Sequence, residues 1–107
     1  MQKTTLYIMC GLPFSGKSIF SKEVAEKTSI VRVSFDDIWY ELTPKIPDLT
    51  YEMAIEYIEK IIVDYFSKGI SVIYDSTNLK SERRTSLLYL AEKEKVKGVV
   101  IYIPTTK

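Results

Sequence analysis

Gly11-Leu12-Pro13-Phe14-Ser15-Gly16-Lys17-Ser18 sets two glycines five residues apart and follows the second with a lysine and a hydroxyl residue. This is the G-x-x-x-x-G-K-[ST] spacing of the P-loop, whose backbone N–H groups wrap the phosphates of ATP or GTP. Gly11, Pro13, Phe14, Ser15 and Gly16 would form the loop. Lys17 would reach the β- and γ-phosphates, and the Ser18 hydroxyl would hold Mg²⁺. The cofactors implied are therefore ATP and Mg²⁺. The competing reading is a Gly/Ser turn that happens to end in lysine, and the flanking elements decide against it.

Two more polar clusters share the pattern of following an apolar run. Asp36-Asp37 follows Ile30-Val31-Arg32-Val33-Ser34-Phe35, and Asp75-Ser76-Thr77-Asn78 follows Ile70-Ser71-Val72-Ile73-Tyr74. A phosphoryl transferase needs a carboxylate to accept the proton of an attacking hydroxyl, with the nucleotide and its metal held nearby. Asp36 comes first after its run and is the expected base. Asp37 either caps a short helix or touches substrate. Asp75 suits a Walker-B-like place beside Mg²⁺ or its water shell, against the plain alternative of a turn aspartate. Thr77 and Asn78 bind substrate or order their loop. Arg83 and Arg84 open a helix, where cations oppose the helix dipole. They lie there on a solvated face or bind a substrate phosphate.

These clusters need elements to hold them. Residues 4–10 are short, β-branched and aromatic, as a buried parallel strand should be. Residues 17–27 lack Gly and Pro and read as the helix that must follow a P-loop. Residues 30–35 alternate as a second strand, and 38–42 form a short helix capped by one of the aspartates. Thr50 is the expected N-cap of a long helix over 51–68, closed by Gly69. Its stripe of Tyr51, Ile55, Ile58, Ile62, Tyr65 and Phe66 reads as core rather than as a platform for stacking bases. Residues 70–74 form a third strand. Ser81 caps a helix over 82–95 with Leu87, Leu88 and Ala91 inward and Gly98 at its end, and residues 99–103 form a fourth strand. Strands alternating with helices predict an α/β fold, a three-layer αβα P-loop NTPase with a parallel sheet of about four strands in the order 2-3-1-4. Ligands of such sheets bind outside the carboxyl ends of the strands, where all three polar clusters fall.

Composition bounds the function. The chain has 107 residues, 46% of them apolar, and a formal net charge of +1. That suits one small domain with a core and does not favour broad nucleic-acid binding. The absence of histidine and a single cysteine, Cys10, make a zinc site unsupported. Cys10 has no internal disulfide partner, which predicts a reduced, cytoplasmic setting. No apolar run approaches the ~18 residues of a membrane span, so no membrane partner is expected.

Taken together, G-L-P-F-S-G-K-S, S-F-D-D-I and V-I-Y-D-S-T-N-L-K-S-E-R-R resemble the kinase domain of polynucleotide kinases. They are also similar to seryl-tRNA(Sec) kinases and zeta-toxin-like P-loop kinases, an AAA-type ATP-binding group. The D-x-T-N-L-x-x-x-R-R stretch is the more specific part. The resemblance implies ATP-dependent phosphorylation of a hydroxyl group, with Asp36 as the base. Trp39 stands where polynucleotide kinases carry an arginine that contacts the substrate phosphate. With the near-neutral charge, this favours a small molecule or a specific RNA over DNA ends as the unknown acceptor. The resemblance also implies an arginine-bearing lid beyond the fourth strand, so residues 1–107 read as one kinase-like domain truncated at its C-terminus. The alternative is a non-catalytic nucleotide-binding module, or a fragment whose lid comes from another chain. Homodimers through the edge of the fourth strand would be one such arrangement.

Overall fold

The computed structural model describes residues 4–10, 17–76 and 81–102, with the backbone alone at 10 and 17–21. Eight elements follow in chain order: β1 Thr5–Cys10, α1 Lys17–Lys27, β2 Val31–Ser34, α2 Phe35–Leu42, α3 Tyr51–Ser67, β3 Val72–Asp75, α4 Ser81–Lys93 and β4 Lys97–Tyr102. The strands form one parallel sheet in the order β2-β3-β1-β4, as the alternation of elements and right-handed crossovers predict.

Register explains which side chains are buried. Leu6 lies beside Val72 and Ile8 beside Tyr74, while Val31 and Val33 meet the same two residues from β2. These residues share one sheet face, because side chains alternate along a strand. They pack with Ile58, Ile62 and Phe66 of α3, Leu87, Leu90 and Ala91 of α4, and Ile38 and Leu42 of α2. The opposite face carries the fully buried Met9 and Ile73, and α1 packs against β1, β2 and β3 there. The sheet is thus sandwiched around β1 and β3, and β2 and β4 form its edges.

Several boundaries differ from expectation for identifiable reasons. α2 begins at Phe35, directly after β2, and its N-cap is Ser34 rather than an aspartate. Ser34 keeps extended dihedrals, and its Oγ accepts from the Asp37 N–H at 3.4 Å. Asp36 and Asp37 instead occupy the first turn, where carboxylates favour the positive end of the helix dipole. β3 runs to Asp75, so that aspartate belongs to the strand itself.

α3 is capped by Thr50, whose Oγ1 accepts from the Met53 N–H at 3.2 Å. At its other end Gly69 takes φ +72°. The Gly69 and Ile70 N–H groups close onto the Phe66 and Tyr65 carbonyls, each at 2.9 Å. This is the Schellman ending that glycine permits. Tyr51 is not part of the core stripe: it is 52% exposed, while Ala54, Ile58, Ile62 and Phe66 are buried.

α4 departs most. Ser81 lies inside the helix, which ends at Lys93. Lys95, not Gly98, takes the left-handed position, with φ 60°. The Val96 and Lys95 N–H groups close onto the Ala91 and Glu92 carbonyls, so the motif forms without glycine. Gly98 belongs to β4, where it lets α4 approach: a Cβ there would sit 2.8 Å from Leu88 Cδ2 and 3.4 Å from Ala91 Cβ. Leu90 is buried in place of Leu88, which remains partly exposed.

Candidate functional site

At the carboxyl edge of the sheet the ends of β1, β3 and β2 lie in one row. Met9, the penultimate residue of β1, pairs with Asp75, and Asp75 pairs with Ser34 on its other side. The end of β1, the first turn of α2 and the end of β3 are therefore neighbours. Asp36 lies two residues past Ser34 on a helix joined to the sheet without a loop, and its side chain is exposed. The N-terminus of α1 begins at Lys17, so its backbone N–H groups belong to the same end of the fold as β1 leaves.

Arg32 ties two of these carboxylates together. Its Nη1 donates to Asp37 Oδ2 and its Nη2 to Asp75 Oδ2, each at 2.9 Å. The arginine side chain is 14% exposed and that of Asp75 only 2%. A buried carboxylate without a counter-charge would be costly, and the guanidinium supplies one with good geometry. The alternation V-R-V places Arg32 on the sheet face opposite Val31 and Val33. Its partners could be found only from the register.

A second polar group lies where β3, α3 and α4 meet. Arg83 Nη1 donates to Glu59 Oε2 at 2.9 Å, and the arginine side chain is 12% exposed. Its Nε and Nη2 are buried and find no hydrogen-bond partner among the described residues. The Tyr74 hydroxyl lies close enough to feel this guanidinium. Burial pushes Tyr74 from 10.0 up to about 12; a hydrogen bond with Ser76, the Arg83 charge and a hydrogen bond with Arg83 pull against that rise, and Tyr51 adds to it. Tyr51, Tyr74, Ser76 and Arg83 are thus electrostatic neighbours. Sequence reading singled out neither Glu59 nor Tyr74. Glu59 was readable only as a surface charge, and Tyr74 only as a strand residue.

Beside Asp36 stands an aromatic group. The Phe35 ring stacks on Trp39 with centroids 5.9 Å apart and planes 20° apart. It meets Tyr51 at 5.4 Å and 43°. Phe35 and Trp39 are one helical turn apart on α2, and Tyr51 opens α3. Phe35 touches the core, but Trp39 and Tyr51 are not among the side chains packed on it.

The remaining site residues stand as follows. Lys17 and Ser18 head α1, but their side chains lie outside the described residues, as do Gly11, Pro13, Phe14, Ser15, Gly16, Thr77 and Asn78. Arg84, in the first turn of α4, is half-buried. Among the described residues no group of three or more Asp, Glu, Cys or His is arranged to hold a metal ion. Mg²⁺ takes one or two protein oxygens and keeps several waters and phosphate oxygens; of the two donors expected for it, only Asp75 has its side chain among the described residues. No helix among the described residues is long and apolar enough to cross a membrane.

Known proteins are similar to this chain in sequence and in fold. The chain is 32% identical over 111 residues to the L-seryl-tRNA(Sec) kinase of Methanococcus maripaludis, covering 92% of this chain and 40% of that protein. Its fold superposes on a chain of the Pnkp1/Rnl/Hen1 complex with a TM-score of 0.81 at 21% identity, covering 99% of this chain and 37% of the other. It also superposes on the APS kinase CysC of Mycobacterium tuberculosis, solved in complex with AMPPNP and APS. There the TM-score is 0.74 at 13% identity, covering 97% and 64% of the two chains. The chain thus spans about two fifths of the length of the first two proteins. A family profile described as an AAA domain matches residues 6–107. With nearly its whole length so matched, the chain belongs to this AAA-domain family of P-loop kinase-like proteins.

Proposed function

We propose that the carboxyl edge of the sheet binds Mg²⁺·ATP and directs transfer of its γ-phosphoryl group to the hydroxyl of an acceptor. The observation that carries this reading is the single row of Met9, Asp75 and Ser34. It sets the end of the strand that leads towards the P-loop sequence, a buried strand-end carboxylate and the start of a helix with a first-turn carboxylate side by side. When bound, Mg²⁺·ATP supplies the phosphoryl group and the cation that offsets its charge. The Gly11–Ser18 loop and the N-terminus of α1 would cradle the phosphates, with Lys17 neutralising the γ-phosphate oxygens. Ser18 and Asp75 would hold the metal or its waters. Asp36 would accept the proton as the acceptor oxygen bonds to phosphorus and the bond to the ADP oxygen breaks. Arg32, held by Asp37 and Asp75, would keep the two sides of the site in register.

The test is ATP binding and ATP consumption with a panel of hydroxyl acceptors, for the natural chain, Lys17→Ala and Asp36→Asn. Lys17→Ala should lose both binding and turnover. Asp36→Asn should bind ATP normally and lose transfer by about 10²–10⁴-fold. Unchanged turnover in Asp36→Asn would remove Asp36 as the base. ATP binding without turnover on any acceptor would leave a nucleotide-binding module in place of a transferase.

A further inference from the structure

The two edges of the sheet differ. β2 is four residues long, runs straight into α2 and carries Arg32, which is bound to Asp37 and Asp75. β4 is six residues long and reads K-G-V-V-I-Y, with Lys97, Gly98 and Tyr102 exposed and Val99, Val100 and Ile101 partly so. Among the described residues β1 is its only neighbour in the sheet. A long apolar edge strand without proline is a template for pairing with another strand.

The hydrogen-bonding groups on that edge can be assigned. The Lys97 N–H donates to the Thr4 carbonyl at 3.1 Å, so the backbone of Lys97 points to β1. Successive residues of a strand point their N–H and C=O groups to opposite sides, so Val99 and Ile101 also point to β1. Gly98, Val100 and Tyr102 point the other way, onto the open edge. Gly98 and Val100 face α4: a Cβ at Gly98 would lie 2.8 Å from Leu88 Cδ2, and Val100 packs against the core. Tyr102 is 67% exposed and Leu88 38%.

We propose that the open edge of β4 pairs antiparallel with β4 of a second copy of this chain, about a two-fold axis through Val100, so that two four-stranded sheets become one. Only this register engages all three outward residues. Val100 meets the partner's Val100, and Gly98 meets the partner's Tyr102 on each side of the axis. Each such pair exchanges two hydrogen bonds. Sliding either strand by two residues leaves one outward residue of each strand unpaired. The same register is complementary in side chains, and this is what makes a second copy the occupant. The largest exposed side chain of the strand comes opposite the residue that has none, beside the exposed Leu88. An aromatic residue covering a cross-strand glycine in this way stabilises a sheet edge. On the other face Val99 meets the partner's Ile101. The surface is self-complementary, as a closed two-fold dimer requires. None of the residues assigned to the nucleotide takes part, so the proposal is independent of nucleotide binding.

Six residues a side make a small interface at the weak end of the known range, so half-dissociation is expected at roughly 10 µM. Sedimentation equilibrium of the 107-residue chain, from roughly 1 to 300 µM, reads this directly. Val100→Pro removes an outward N–H and sets the proline ring on the open edge, while the ladder to β1 keeps its donors. It should weaken the dimer at least about tenfold. Tyr102→Pro does the same at the end of the strand and carries the test if Val100→Pro does not fold. Tyr102→Ser keeps the backbone groups, uncovers Gly98 and should weaken the dimer about fivefold. Val100→Cys, with Cys10→Ser, should form an intermolecular disulfide on oxidation, because residues in such a pair have Cα atoms about 5.5 Å apart. Amide exchange read by NMR separates the two sides of the strand. The Val99 and Ile101 N–H groups should be protected at every concentration, and those of Gly98, Val100 and Tyr102 only where the dimer forms.

Three results overturn the proposal. One is a monomer at every concentration. Another is a dimer that survives both proline variants, which would place the contact on a different surface. The third is protection of the Gly98, Val100 and Tyr102 amides in the dilute monomer, which would mean that another segment of the same chain covers the edge.

Discussion

Arg32 and Arg83 are two arginines of nearly equal burial whose surroundings differ. Arg32 gives each terminal nitrogen a carboxylate, Asp37 for one and Asp75 for the other. Arg83 gives one terminal nitrogen to Glu59 and leaves its other edge without an acceptor among the described residues. The carboxylate that Arg32 neutralises is deeply buried, whereas Glu59 is 36% exposed and can be hydrated by itself. The first arginine is therefore a strut that the fold cannot release cheaply. The second pairs with a carboxylate that water can also reach, and lies beside the Tyr74 hydroxyl. Similar burial thus carries opposite meanings, and the count of satisfied donors separates them.

The largest effect should come from removing the strut. Arg32→Met leaves Asp75 buried beside no guanidinium and should lower folding free energy by about 3 kcal/mol, read from the urea midpoint. Adding Asp75→Asn should restore part of it, because the two changes remove one interaction. A loss below about 1 kcal/mol would mean that Arg32 is no strut.

The next effect probes the other arginine through Tyr74. Its folded pKa of about 12 lies above the ordinary 10.0. Burial of the neutral phenol therefore stabilises the fold fully below pH 10, and that contribution is lost as pH rises through 12. The amount is about 2–3 kcal/mol. Alkaline unfolding should steepen in this window, and Tyr74→Phe should flatten it. Because the Arg83 charge favours the phenolate, Arg83→Met should move the tyrosinate titration higher still.

Arg83→Met itself should cost less than about 1 kcal/mol at neutral pH. It frees a hydrated Glu59 and removes two unsatisfied donors at once. A cost as large as that of Arg32→Met would erase the contrast. The smallest change is Asp37→Asn, which breaks only the exposed half of the Arg32 bridge and should shift stability by a few tenths of a kcal/mol. Thermal melts of the four variants side by side would rank them.

Much of this was legible in the sequence where the signal is local. The strand–helix alternation, the right-handed crossovers and the Thr50 and Gly69 caps predicted the sheet order and the limits of α3. What escaped was decided at a distance or by competition between neighbours. Ser34 outcompeted two aspartates as a cap because β2 ends on it in extended geometry. Lys95 took the turn expected at Gly98 because β4 needed the glycine for the close approach of α4. For the candidate site, Asp36, Asp37 and Asp75 could be named from their place after apolar runs. Arg32 could not, since its role appears only when β2 lies beside β3 in a fixed register. Arg83 was visible as a charge, but its partner is 24 residues away on α3.

The direct passage from β2 into α2 has a mechanical consequence. Ser34 is at once the last rung of a sheet ladder and the cap of a helix, so no loop separates β2 from α2. Asp36 is therefore joined directly to the end of the sheet. In the proposed transfer the acceptor hydroxyl would be brought to a carboxylate seated on the end of the sheet, rather than the carboxylate to it.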